Sequence, residues 1–178
     1  MRIRRDGAAD HAAVRAVLAG AFRDPAAPQA TPVEVGLVDA LRASAEWLPP
    51  LSLVAESTEG EVVGYVVCTR GWVDGRPALG LGPLAVSPAE QGRGAGSALM
   101  HAVLAAADAL EEPLVALLGH TGYYPRFGFR PAHELGVSPP VQAWAPHFQV
   151  RALSAYEPDL CGTFRYARPF DDLSAAGC

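Results

Sequence analysis

The sequence contains no lysine, and all 14 of its basic side chains are arginine. That absence excludes a P-loop, which needs G-x-x-x-x-G-K-[ST], and Schiff-base catalysis through an ε-amine. Cysteine is scarce, with three in 178 residues. Cys68, Cys161 and Cys178 are odd in number, far apart and in no C-x-x-C or Cys/His spacing, which argues against a zinc site or a disulfide framework. Cys68 reads as core and Cys178 as tail. No window approaches the apolar length of a membrane span, and the opening "MRIRRDGAAD" has no apolar segment leading to a cleavage site. A soluble, cytoplasmic protein is expected, with no membrane partner. The formal charge of −5 lacks the positive balance of broad nucleic-acid binding, so no nucleic-acid partner is expected either.

Half of the residues are hydrophobic and 19% are charged, the balance of a folded chain long enough for one domain with a sizeable core. Ile3 falls in a short first strand. Ala12, Val14, Val17, Leu18, Ala21 and Phe22 then recur at helical spacing, with Asp10 as the expected N-cap. A Pro/Ala loop at 24–32 precedes a second helix marked by Val35, Leu37, Val38 and Leu41. "LSLVAE" and "EVVGYVVCTRGWV" read as a β-hairpin joined by "STEG", and a further strand spans about 78–86. A helix over about 94–110 and a short buried strand "LVALLG" follow. The remainder is less regular, with "HFQVRAL" and "GTFRYARPF" as strand candidates. The expected order β, α, α, β, β, β, α, β, α, β is a mixed α/β domain.

The strand at 78–86 runs into "QGRGAG" (91–96), which opens the long helix. A helix N-terminus carries unpaired N–H groups and the positive end of the helix dipole, so bare backbone brought there is suited to an anion. Gly92, Gly94 and Gly96 let a phosphate approach the amides, and Arg93 adds a charge. Taken alone, the stretch is equally compatible with a tight turn that holds nothing. A dinucleotide fingerprint G-x-G-x-x-G begins at Gly92 but is not completed, and Glu111 and Glu112 precede the next strand instead of ending it.

Gln91, Gly94 and Gly96 match the Q/R-x-x-G-x-G/A signature of the GCN5-related N-acetyltransferases, and "LAVSP" precedes them as in many members. Downstream, "YYPRFGF" matches the family's Y-x-x-x-G-F at Tyr124, Gly128 and Phe129. On these two motifs the chain resembles that family, and "GHTGYYPRFGF" is similar to a bacterial subgroup of it. The similarity is strongest over about residues 60–131. It implies a single domain over 1–178, with a core of about 1–131 and an extension at 132–178 completing the sheet or the acceptor side. The implied fold is a central twisted mixed sheet flanked by helices, in which two parallel strands splay apart.

The resemblance further implies acetyl-CoA as co-substrate. The segment Leu84, Ala85 and Val86 would meet the pantetheine, with backbone groups of Leu84 and Val86 on its amides. The amides of Gln91, Gly92, Arg93, Gly94, Ala95 and Gly96 would hold the pyrophosphate. It also implies direct attack of an amine on the thioester in a ternary complex, with Tyr124 as general acid to the leaving sulfur. Many members carry a glutamate base on the strand before the glycine loop, but here that strand reads "ALGLGPLAV", without a carboxylate. His120, Glu56 or water are the alternatives for that role. Trp72 and Trp144 are candidates for the acceptor pocket, Arg126 for a CoA phosphate and Tyr123 for a wall, whereas His101, His133 and Glu134 carry no site. The acceptor would be a small-molecule or peptide amine, no metal is implied, and homodimers are common in the family. The competing expectation is a catalytically weak acyl-CoA sensor or partner-binding module.

Overall fold

A computed structural model describes residues 1–171; Cys178 lies outside the described residues. The elements run β1 (Arg2–Arg5), α1 (His11–Ala21), α2 (Val33–Arg42), β2 (Ser52–Glu56), β3 (Val62–Val73), β4 (Arg76–Val86), α3 (Ala95–Ala109) and β5 (Leu114–Leu118). Four further strands complete the described chain: β6 (Arg130–Pro131), β7 (Val137–Ser138), β8 (Phe148–Ala152) and β9 (Gly162–Arg165). They form one mixed, mostly antiparallel sheet in the order β1-β2-β3-β4-β5-β8-β6. Beyond the segment of β3 that pairs β2, β9 joins β3 at Trp72 and Val73, and β7 runs parallel to β9.

Period-two alternation along the strands sends side chains to two faces. Leu53, Ala55, Val66 and Cys68 pack with Leu99 and Val103 of α3 on one face. Val54, Tyr65 and Val67 pack with Val14, Leu18 and Val38 of α1 and α2 on the other. Leu114, Ala116, Phe148, Val150 and Phe164 build a third cluster under the C-terminal strands. Burial of Cys68 pushes its thiol well up, so it behaves as a small apolar side chain.

Two expectations need correction. Asp10 precedes α1 but makes no side-chain cap to it. Its carboxylate instead accepts the Gly7 N–H at 2.9 Å and both ends of the Arg4 fork at 2.7 and 2.9 Å. A charged bidentate partner on the adjacent strand outcompetes a single amide, and it holds the Asp10 carboxyl below its usual range. Among the described residues no α-helix stands between β5 and β8; Tyr124–Phe127 and Ala132–Leu135 are single 3-10 turns. Gly128 and Gly136 end them at φ of 82° and 68°, and Pro125 and Pro131 supply no N–H to a longer helix.

The feature that matters for function lies between β4 and β5. These parallel neighbours pair only at Leu79 with Val115 and Gly80 with Ala116. On its other edge β4 bulges: Leu81 faces Cys68 and Leu84 faces Val66, so Gly82 and Pro83 together oppose the single residue Val67. A bulge bends its strand, and beyond it β4 and β5 are no longer paired.

Candidate active site

The loop after β4 is shaped by its glycines. Gly92 and Gly94 have φ of 76° and 92°, a region that favours residues without Cβ, and a Cβ at either would meet open space. Gly94 is the N-cap of α3 and no side chain caps that end, leaving the first amides of the helix without intrahelical partners. Gly96 lies close to Tyr123: a Cβ there would sit 3.0 Å from the Tyr123 hydroxyl.

Gln91 donates from Nε2 to the Val86 carbonyl at 3.1 Å, bracing the loop against β4. Leu84, Val86, the glycine loop, Tyr123 and Arg126 enclose a groove of about 410 Å³. Ala85 faces the α1–α2 side of the sheet and contributes backbone only. Arg93 is exposed and paired with Glu90 at 3.0 Å. The cation in the groove wall is instead Arg126, whose guanidinium lies 4.8 Å from the Tyr123 ring centre. Sequence position alone did not favour Arg126 over an ordinary exposed arginine; the 3-10 turn leaves it exposed but folds it back over Tyr123, into the groove wall.

On the other side of the parted strands lies a cavity of about 340 Å³ against the Gly82–Pro83 bulge. Leu84 lines both spaces and so marks their junction. The consecutive tyrosines divide between them, Tyr123 in the groove and Tyr124 in the cavity. The Tyr124 ring meets Tyr123 and Phe129 edge-to-face, at 5.1 and 5.8 Å between centroids. A Cβ at Gly119 would fall on that ring, so glycine at the end of β5 is what lets Tyr124 lie there. Burial, with a smaller contribution from Tyr123, pushes the Tyr124 phenol up to about 12. It is a protonated donor throughout the neutral range.

Neither basic candidate named from the sequence lines this cavity. Glu56 is tied to Arg4 at 2.6 Å. His120 is exposed, and its Nδ1 accepts the Gly122 N–H at 3.1 Å; a neutral imidazole held that way carries its proton on Nε2 and has no free lone pair. The carboxylate that does line the cavity is Glu34, in the first turn of α2. No motif marks it, and only the fold brings it into the same cavity as Tyr124.

Trp144 also lines the cavity, whereas Trp72 lies under the Arg165 guanidinium, 4.0 Å from its ring centre. His101 is exposed with its ring edge on Phe127. Among the described residues, no group of three or more His, Cys, Asp or Glu could hold a metal ion, and no helix is long and apolar enough to cross a membrane.

A sheet parted at a bulge, with a glycine-built helix N-terminus on one side and a tyrosine-lined cavity on the other, invites comparison with proteins of known class. Residues 22–129 match the acetyltransferase (GNAT) family, and the chain belongs to that family. It is 35% identical over 144 residues to the uncharacterized N-acetyltransferase YjhQ of Escherichia coli K12, covering 76% of this chain and 79% of that protein. The match to E. coli YhbS, 36% over 89 residues, spans about half of each protein, 48% here and 53% there.

In three dimensions the likeness extends over nearly the whole chain. The crystal structure of E. coli YhbS in complex with CoA superposes with a TM-score of 0.85 at 28% identity, covering 96% of this chain and 91% of that one. A GNAT family acetyltransferase from Brucella melitensis, solved in complex with acetyl-CoA, superposes with a TM-score of 0.77 at 34% identity, covering 96% and 97%.

Proposed function

We propose that this chain is an acetyl-CoA-dependent N-acetyltransferase acting on a primary amine in a ternary complex. The observation that carries the reading is the meeting of two spaces at Leu84, where β4 and β5 part, with Tyr124 lining the cavity on one side of the meeting point. The residues present suit acetyl-CoA. Open backbone at Gly92 and Gly94 and the uncapped amides of α3 suit a pyrophosphate. Arg126 adds a cation to the same wall, and the edge of β4 from Leu84 to Val86 suits a chain that pairs with it as a strand would. The CoA and acetyl-CoA complexes of the two structural relatives agree with this.

Acetyl-CoA supplies an activated thioester: a C–N bond forms to the amine, the C–S bond breaks, and amide and thiol result. Tyr124 donates its phenolic proton to the departing sulfur and recovers it from solvent. An acceptor that arrives as an ammonium loses one proton to water before attack and a second from the nitrogen of the adduct, so one proton is released net for each amide and thiol formed; β4 offers no carboxylate to take either.

The test is steady-state acetyl transfer by the wild type and Tyr124→Phe. Removing the proton donor lowers kcat by about 100-fold or more, while the dissociation constant for acetyl-CoA, measured by calorimetry, is unchanged. Equal kcat in the two proteins would remove Tyr124 from the chemistry. Acetyl-CoA binding without turnover on any amine would favour a binding module over an enzyme.

A further inference from the structure

Resting on that reading, we propose that the acceptor is a small organic amine with an apolar, aromatic body, held through its ammonium by Glu34. The cavity beside Tyr124 is at the small end of ligand sites, about 340 Å³ against roughly 300–1,000 Å³ for such sites generally. Phe22, Leu37, Leu118, Trp144, Tyr166 and Phe170 contribute to its walls, surfaces that take a flat apolar group. Among the described residues, Glu34 is the only charged side chain in that lining, and no arginine or histidine accompanies it. Among the described residues its carboxylate has no hydrogen-bond or ion-pair partner. The neighbouring hydroxyls add no charge, since burial pushes both Tyr124 and Tyr166 upward.

This distribution selects among amines. A zwitterionic acceptor such as an amino acid would bring its own carboxylate into the cavity with Glu34 and without a cation to receive it. A polyamine would bury a second charge among rings with no second carboxylate, a poor exchange for its hydration. A monoamine with an aromatic body satisfies both parts of the site: the ammonium meets Glu34 and the aromatic faces, and the body fills the rest. Glu34 is thus a specificity residue that acts on binding, and the attacking nitrogen loses its proton to water at the half-exposed rim.

The competing explanation is that Glu34 serves α2 alone, where an acid in the first turn complements the helix dipole. Transfer is measured as thiol release with 2-phenylethylamine, putrescine and glycine, using the wild type, Glu34→Gln and Glu34→Asp. Calorimetric binding of 2-phenylethylamine and 2-phenylethanol to the CoA-loaded protein accompanies it. The expected result is a lowest KM for 2-phenylethylamine. Glu34→Gln raises that KM by about tenfold or more, the scale of one charge-assisted hydrogen bond, with kcat little changed and partial recovery in Glu34→Asp. Binding of 2-phenylethylamine exceeds that of the uncharged alcohol in the wild type only.

An unchanged KM in Glu34→Gln, or a preference for putrescine or glycine, would overturn the inference and leave the acetyltransferase reading intact. Failure of acetyl-CoA to bind would overturn both. Glu34-dependent amine binding without turnover would sustain the selectivity of the cavity while refuting transfer.

Discussion

Tyr123 and Tyr124 are adjacent in sequence and turn to opposite sides of the parted sheet. The groove-facing ring packs over Gly96 and under Arg126, and the cavity-facing ring lies against Gly119. Burial holds Tyr124 protonated to about pH 12, against about 10 for a free phenol. A plot of kcat against pH therefore shows no alkaline decline from this group between pH 8 and 10; a decline near pH 9 that vanishes in Tyr124→Phe would contradict its placement. The stability term has the same direction. With the folded value above the unfolded one, the contribution is fully present below about pH 10 and is lost as pH rises toward 12. The sequence singled out Tyr124 through the family's Y-x-x-x-G-F motif, which is short and local. It did not single out Glu34, because the cavity that Glu34 lines is assembled from Phe22 just after α1, α2, β4, β5 and the C-terminal segments, and nothing near residue 34 distinguishes it from a solvated helix acid.

At the scale of elements, the strands through β5 and the three helices follow from hydrophobic period and from glycine and proline punctuation, and their observed bounds fall within a few residues of those expected. The bulge at Gly82 and Pro83 was present as letters but not as geometry: a register shift needs the partner strand to define it. The helix expected after β5 failed because proline and left-handed glycines at 128 and 136 cut it into single turns. Gly119 joins these levels, since it ends β5 and seats the Tyr124 ring. Gly119→Ala places a methyl in space the ring occupies. The expected cost is about 1–3 kcal/mol in urea denaturation, together with a fall in kcat larger than any change in acetyl-CoA affinity. A variant with wild-type stability and kcat would show that the ring has room to move and that Gly119 does not set its position.

Across the whole molecule, helices pack on both faces of a sheet that parts where β4 leaves β5, and the groove and the cavity both open there. The arrangement divides labour: α3 and the glycine loop shape one side, while α1, α2 and the C-terminal segments shape the other. The first side was readable from its motif, whereas the second was readable only as a location, because its chemistry is set by long-range contacts. The most direct test of this account is calorimetric titration of the purified protein with acetyl-CoA, alongside Gly94→Val, with circular dichroism to establish that both are folded. The account predicts saturable binding to the wild type, weakened by about tenfold or more in the variant, because a β-branched residue resists the φ of 92° that shapes the loop. A folded wild type that takes up no acetyl-CoA would contradict it.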